Sequence, residues 1–106
     1  MPMLPNRPTL SDFQKYVGEL ERERGFSDQG VLEKCLLLGE EIGELFKAIR
    51  KREQISIEEG SKYGRIGEEL ADVLIYLCSI ANRADIDLEK AFRDKETLNC
   101  NRTWKS

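Results

Sequence analysis

LGEEIGEL, residues 38–45, and IGEELADV, residues 66–73, match in kind at every position and stand 28 residues, or four heptads, apart. Around the first copy, Val31, Cys35, Leu38, Ile42, Leu45 and Ile49 recur at spacings of 4, 3, 4, 3 and 4, and Ile66, Leu70, Val73, Leu77, Ile80 and Ala84 repeat that rhythm around the second. With 3.6 residues per helical turn, such a pattern lines apolar side chains along one face, the seam along which two helices pack. It predicts a helix over Val31–Arg52 and another beginning near Ile66. A further strip, Leu32, Leu36 and Phe46, widens the face expected to be buried on the first.

Outward from this pair, Leu10, Phe13, Val17 and Leu20 mark an earlier amphipathic helix, with Thr9 or Ser11 placed to cap it and Gly25 placed to stop it. Asp87 is suited to cap a fourth, carrying Leu88, Ala91, Phe92 and Leu98 before a polar tail over residues 101–106. Residues 1–8 hold all three prolines and read as an extended arm. Residues 53–64, with Gly60 and Gly64, read as a polar connector. No segment alternates long enough to seed a sheet. The expectation is an all-α chain: a four-helix bundle-like protomer in a single domain over residues 9–106, behind the arm.

The composition narrows the chemistry. Seventeen Lys and Arg against twenty Asp and Glu leave a net charge of −3, which argues against a nucleic-acid partner. No histidine occurs in the 106 residues, which removes His-based triads, the usual zinc sites and the Glu-x-x-His ligands of di-iron bundles. Cys35 and Cys78 lie among Leu and Ile and read as buried thiols in a reducing compartment; with Cys100 they make no disulfide framework. No signal peptide or membrane-length apolar run is present, so the expected setting is the cytoplasm, with no membrane partner. The two central helices are apolar over more than half their circumference, more than one copy can cover, so a homo-oligomer, at least a dimer, is expected. The basic cluster Lys47, Arg50, Lys51 and Arg52 suits a helix C-terminus on dipole grounds alone.

Each central helix places an acid immediately before a seam residue, twice: Glu41 and Glu44 on one, Glu69 and Asp72 on the other. Each pair shares one side of its helix, at the border of the apolar stripe. If the seams meet, four carboxylates converge, and like charges a few ångströms apart in a reduced dielectric repel by several kcal/mol as an order of magnitude. The cluster must protonate, splay into water or hold cations. All-oxygen ligands point to Mg²⁺, with Mn²⁺ as a substitute. A Glu beside an apolar stripe is ordinarily a solvated flank; matched register on two helices is what favours a metal site. Glu40 and Glu68, one residue off, should point outward. Lys95, Asn99 and Arg102, spaced 4 and 3, share a face if the fourth helix reaches that far, and beside a divalent cation they are suitable donors to phosphate oxygens.

Glu40-Glu41-Ile42-Gly43-Glu44, followed after 24 residues by Glu69-Leu70-Ala71-Asp72, resembles the EExxE and ExxD pair of the MazG-like all-α nucleoside triphosphate pyrophosphohydrolases. Lys95, Asn99 and Arg102 resemble that family's C-terminal element, and EELADVLIYL, residues 68–77, is especially similar to the dCTP pyrophosphatase branch. The resemblance spans roughly residues 10–104. It implies Mg²⁺-dependent hydrolysis of a nucleoside triphosphate to the monophosphate and pyrophosphate, with Glu41, Glu44, Glu69 and Asp72 as metal ligands. One of these acids, foremost Glu44, could also take the attacking water's proton. It further implies phosphate contacts from Lys95, Asn99 and Arg102, a nucleoside-facing Tyr76, and a dimer or a tetramer of paired dimers. Tyr76 reads equally as a tyrosine at the edge of the core. Where relatives continue past the arginine with Tyr-Pro, this chain has Thr103 and Trp104, which leaves the base open. The competing class is a non-catalytic helical module that binds a nucleotide or a protein.

Overall fold

Thr9 opens the first helix as its sequence suggests: its hydroxyl accepts from the Asp12 backbone N–H at 3.1 Å while its own N–H donates to the Asp12 carboxylate at 2.8 Å. This capping box starts α1 (Leu10–Arg24). In the computed structural model, which describes residues 1–54 and 65–102, α2 (Val31–Arg52), α3 (Ile66–Arg83) and α4 (Leu88–Cys100) follow, and there is no strand among the described residues. The chain is all-α. Most of the polar connector, with Gly60 and Gly64, and the end of the tail, with Thr103 and Trp104, lie outside the described residues.

α2 packs along α3, α1 lies across α3, and α4 rests against α1. α2 and α3 do pack together, but not along the predicted stripe: Val31, Cys35 and Ile49 of α2 and Leu70, Leu77 and Ala84 of α3 are exposed, and the buried Lys34, Ala48 and Glu69 each stand one residue before a stripe position. Val17, Leu20, Ala48, Cys78 and Ala81 form the buried core. α1 ends at Gly25, whose φ of 76° is a left-handed conformation open to glycine at no steric cost. The turn sends Phe26 back along the helix, where its N–H donates to the Glu21 carbonyl at 2.8 Å. Asp87 caps α4, its carboxylate accepting from the Lys90 backbone N–H at 3.2 Å. Gln14 ties α1 to that corner: its amide nitrogen donates to Asn82 Oδ1 and the Ile86 carbonyl, and its oxygen accepts from the Leu88 N–H.

Two further expectations about burial are corrected. Leu32, Leu36 and Phe46 are exposed to 74%, 66% and 59%, so the second strip of α2 is not covered within one chain. Cys35 is exposed as well, whereas Cys78 is fully buried. Both follow from geometry: α3 occupies one side of α2, and α1 lies on α3 rather than on the opposite flank of α2.

Candidate functional site

The carboxylates converge at the α2–α3 contact. One oxygen from each of Glu41, Glu69 and Asp72 lies within 4.8 Å of the other two. Glu41 comes from the middle of α2 and Glu69 and Asp72 from the first two turns of α3. Glu44 stands outside this trio; its carboxylate pairs with Lys47 at 3.6 Å and is 40% exposed. Glu40 and Glu68 are exposed. Burial, then the hydrogen bond shared with Glu69, then the charges of Asp72, Glu69 and Glu44 push the Glu41 carboxyl up to about 7. Glu69 Oε2 is buried without a hydrogen-bond partner among the described residues. A buried acid oxygen left in this state is costly, and a hard divalent cation would satisfy it with only the oxygen ligands such ions take. The residues present therefore fit a divalent metal.

Beside the trio runs a cleft of about 170 Å³, lined by Asp72 and Tyr76 of α3, Glu21 of α1, Phe26 of the following turn, Lys34 of α2 and Ser79. Its floor is a polar network that the sequence analysis did not single out. Glu21 Oε2 accepts from the Lys34 ammonium at 3.2 Å and the Ser79 hydroxyl at 3.0 Å, and Glu21 Oε1 accepts from Arg83 at 2.9 Å. Arg83 also donates to the Phe26 carbonyl at 2.9 Å and to that of Gln29, fastening the α1–α2 turn to α3. Burial pushes the Glu21 carboxyl up, but the hydrogen bonds from Arg83, Lys34 and Ser79 outweigh it and hold the group below its usual range. A signal for two of these residues was present. Lys34 stands one heptad before Glu41 and Ser79 one heptad after Asp72, on the columns that already carried the acids.

Tyr76 lies on this cleft one turn beyond Asp72, with the Lys34 ammonium 5.7 Å from its ring centre. Burial, followed by the charges of Glu41 and Asp72, raises its phenol pKa. The remaining candidates sit elsewhere. Lys95 and Asn99 lie on α4, where Asn99 donates to Glu96 at 2.8 Å, and α4 contributes nothing to the cleft's lining. Because α4 ends at Cys100, Arg102 follows the helix rather than sharing its face, with its N–H still bonded to the Asn99 carbonyl at 3.1 Å.

With this geometry in view, comparison with known proteins is direct. Residues 29–97 match the family profile of the MazG nucleotide pyrophosphohydrolase domain, a stretch that contains the whole carboxylate trio. The crystal structure of iMazG from Vibrio DAT 722 is 34% identical, superposes with a TM-score of 0.65, and the match covers 89% of this chain and 99% of that one. No curated protein is significantly similar in sequence. The family depends on divalent metals, in keeping with the acids gathered here. The chain belongs to the MazG nucleotide pyrophosphohydrolase family of all-α hydrolases that act on nucleoside triphosphates.

Proposed function

We propose that the protein is a Mg²⁺-dependent pyrophosphohydrolase that cleaves a (deoxy)nucleoside triphosphate, dCTP-like or modified, between its α and β phosphates and so clears such nucleotides from the cytoplasmic pool. The observation that carries this is the trio of Glu41, Glu69 and Asp72, drawn from two helices and containing an unsatisfied buried oxygen. These three would hold the cation, Mg²⁺ with Mn²⁺ as a substitute. When bound, it neutralises triphosphate charge and acidifies a coordinated water. Glu44, one turn from Glu41 but apart from the trio, would take the water's proton. The cleft along Asp72 and Tyr76 would take the nucleoside, and Lys95, Asn99 and Arg102 would contact phosphate oxygens.

A homo-oligomer, dimer or tetramer, belongs to the same proposal, supported by the exposed Leu32, Leu36 and Phe46 on α2 and Leu70 on α3. The deciding experiment is product analysis with each dNTP and Mg²⁺. Monophosphate with pyrophosphate is expected; diphosphate with orthophosphate overturns the assignment of the cleaved bond.

A further inference from the structure

Lys34 is only 4% exposed, although lysine ordinarily keeps its ammonium in water. That ammonium carries three N–H donors. Among the described residues its one charged partner is Glu21, and its other neighbours are two aromatic faces, Phe26 at 5.3 Å and Tyr76 at 5.7 Å from the ring centres. A ring face attracts a cation without replacing a hydrogen-bond acceptor. Glu21 is already shared, since Lys34 and Ser79 engage one of its oxygens and a second cation, Arg83, the other. The network is one negative group against two positive ones. Lys34 lines the cleft with donors to spare, so it can receive an acceptor from outside, while Arg24, Glu21 and Asp72 beside it leave the lining without net charge.

The position of the ammonium indicates which acceptor. Seven residues, two turns of α2, separate Lys34 from Glu41, about 10 Å along the axis and nearly the same face. If phosphates sit at the carboxylate trio, the far end of the nucleotide extends toward Lys34. The aromatic walls suit a flat heterocycle, whereas a phosphate would set its charge beside the Glu21 carboxylate. The cleft's 170 Å³ is below the roughly 300–1,000 Å³ of whole-ligand pockets, which fits a site that encloses one part of a larger substrate.

We propose that Lys34 is a specificity-determining residue, donating from Nζ to a carbonyl oxygen on the nucleobase and so favouring oxo-bases over adenine, which has none. This deepens the function proposed above and rests on it. The test measures kcat/KM with Mg²⁺ for dATP, dGTP, dCTP, dTTP, the 2-aminopurine deoxynucleoside triphosphate, which is dGTP without its O6, and an abasic deoxyribose triphosphate. At least one oxo-base should exceed dATP by about 10- to 100-fold, the range of a hydrogen bond to a charged group. Lys34→Met should collapse that ratio, and Lys34→Gln, which keeps a neutral donor, should retain part of it.

Equal wild-type turnover of dATP and every oxo-base overturns the proposal, as does an undiminished ratio in Lys34→Met. Should neither variant fold, the wild-type series decides alone: an oxo-base advantage that dATP, and 2-aminopurine relative to dGTP, both lack supports it, and its absence overturns it. If no triphosphate, the abasic one included, releases pyrophosphate, the proposed function fails and this assignment with it. Turnover without base discrimination removes Lys34 alone.

Discussion

Glu41 shows what the metal-free site costs the fold. Its carboxyl stays protonated up to about 7 against an ordinary 4.5, so between those values the folded chain binds more protons than the unfolded one. Stability of the metal-free protein should therefore fall as pH rises from about 4.5 to about 7 and level off above. Glu21, held below its usual range, acts in the opposite sense and below that window. Thermal melts in chelator across this range check the point: Glu41→Gln should flatten the slope, and Mg²⁺ added above pH 7 should raise the wild-type midpoint. A wild-type midpoint that climbs through the window contradicts the account. In turnover assays, Glu41→Gln and Asp72→Asn should each abolish activity with helix content unchanged by circular dichroism. Activity retained in both removes them from the site. The acids themselves could be read from the chain, because each precedes a seam residue. That Glu44 pairs with Lys47 outside the trio could not, since position along a helix does not fix where a flexible side chain ends.

At the scale of the elements, the network of Glu21, Lys34, Ser79 and Arg83 joins α1, α2 and α3 behind the cleft. Removing Glu21 leaves Lys34 and Arg83 without their shared countercharge, so Glu21→Gln should destabilise the fold by about 3 kcal/mol in denaturant titration. A loss near zero would mean that water reaches the network. The start of α1 gives a smaller effect: Thr9→Ala removes one half of the capping box and should cost about 1 kcal/mol by the same measurement, with activity unchanged. All four helices, the Thr9 and Asp87 caps and the Gly25 stop were legible from local pattern, because caps and apolar periodicity act within a few residues. The exception was the end of α4. Lys95, Asn99 and Arg102 share a sequence spacing, but the helix ends before Arg102.

The whole molecule presents an unfinished surface. Leu32, Leu36 and Phe46 of α2, with Phe92 and Leu98 of α4, are mostly exposed in a single chain. Large apolar side chains left this exposed on a small domain suit an interface between copies. Light scattering at micromolar concentration should give at least the dimer mass; a monomer mass would refute the oligomer. The described residues contain no helix long and apolar enough to cross a membrane. For the whole chain, fold class and family membership were visible in advance, carried by the repeated EE-and-E register of α2 and the E-and-D register of α3.

By itself the sequence determined the helices, their caps and the acids beside the apolar stripes, since each depends on the order of neighbouring residues. Only the tertiary structure decided that three of four acids share one space and that Leu32, Leu36, Phe46 and Cys35 stay uncovered. It also decided that Lys34 ends buried between Glu21 and two rings. Those outcomes depend on where a third helix lies. Residues 13 and 58 positions apart in the chain, as Lys34 and Ser79 are from Glu21, become neighbours only once α1 has chosen its side of α3.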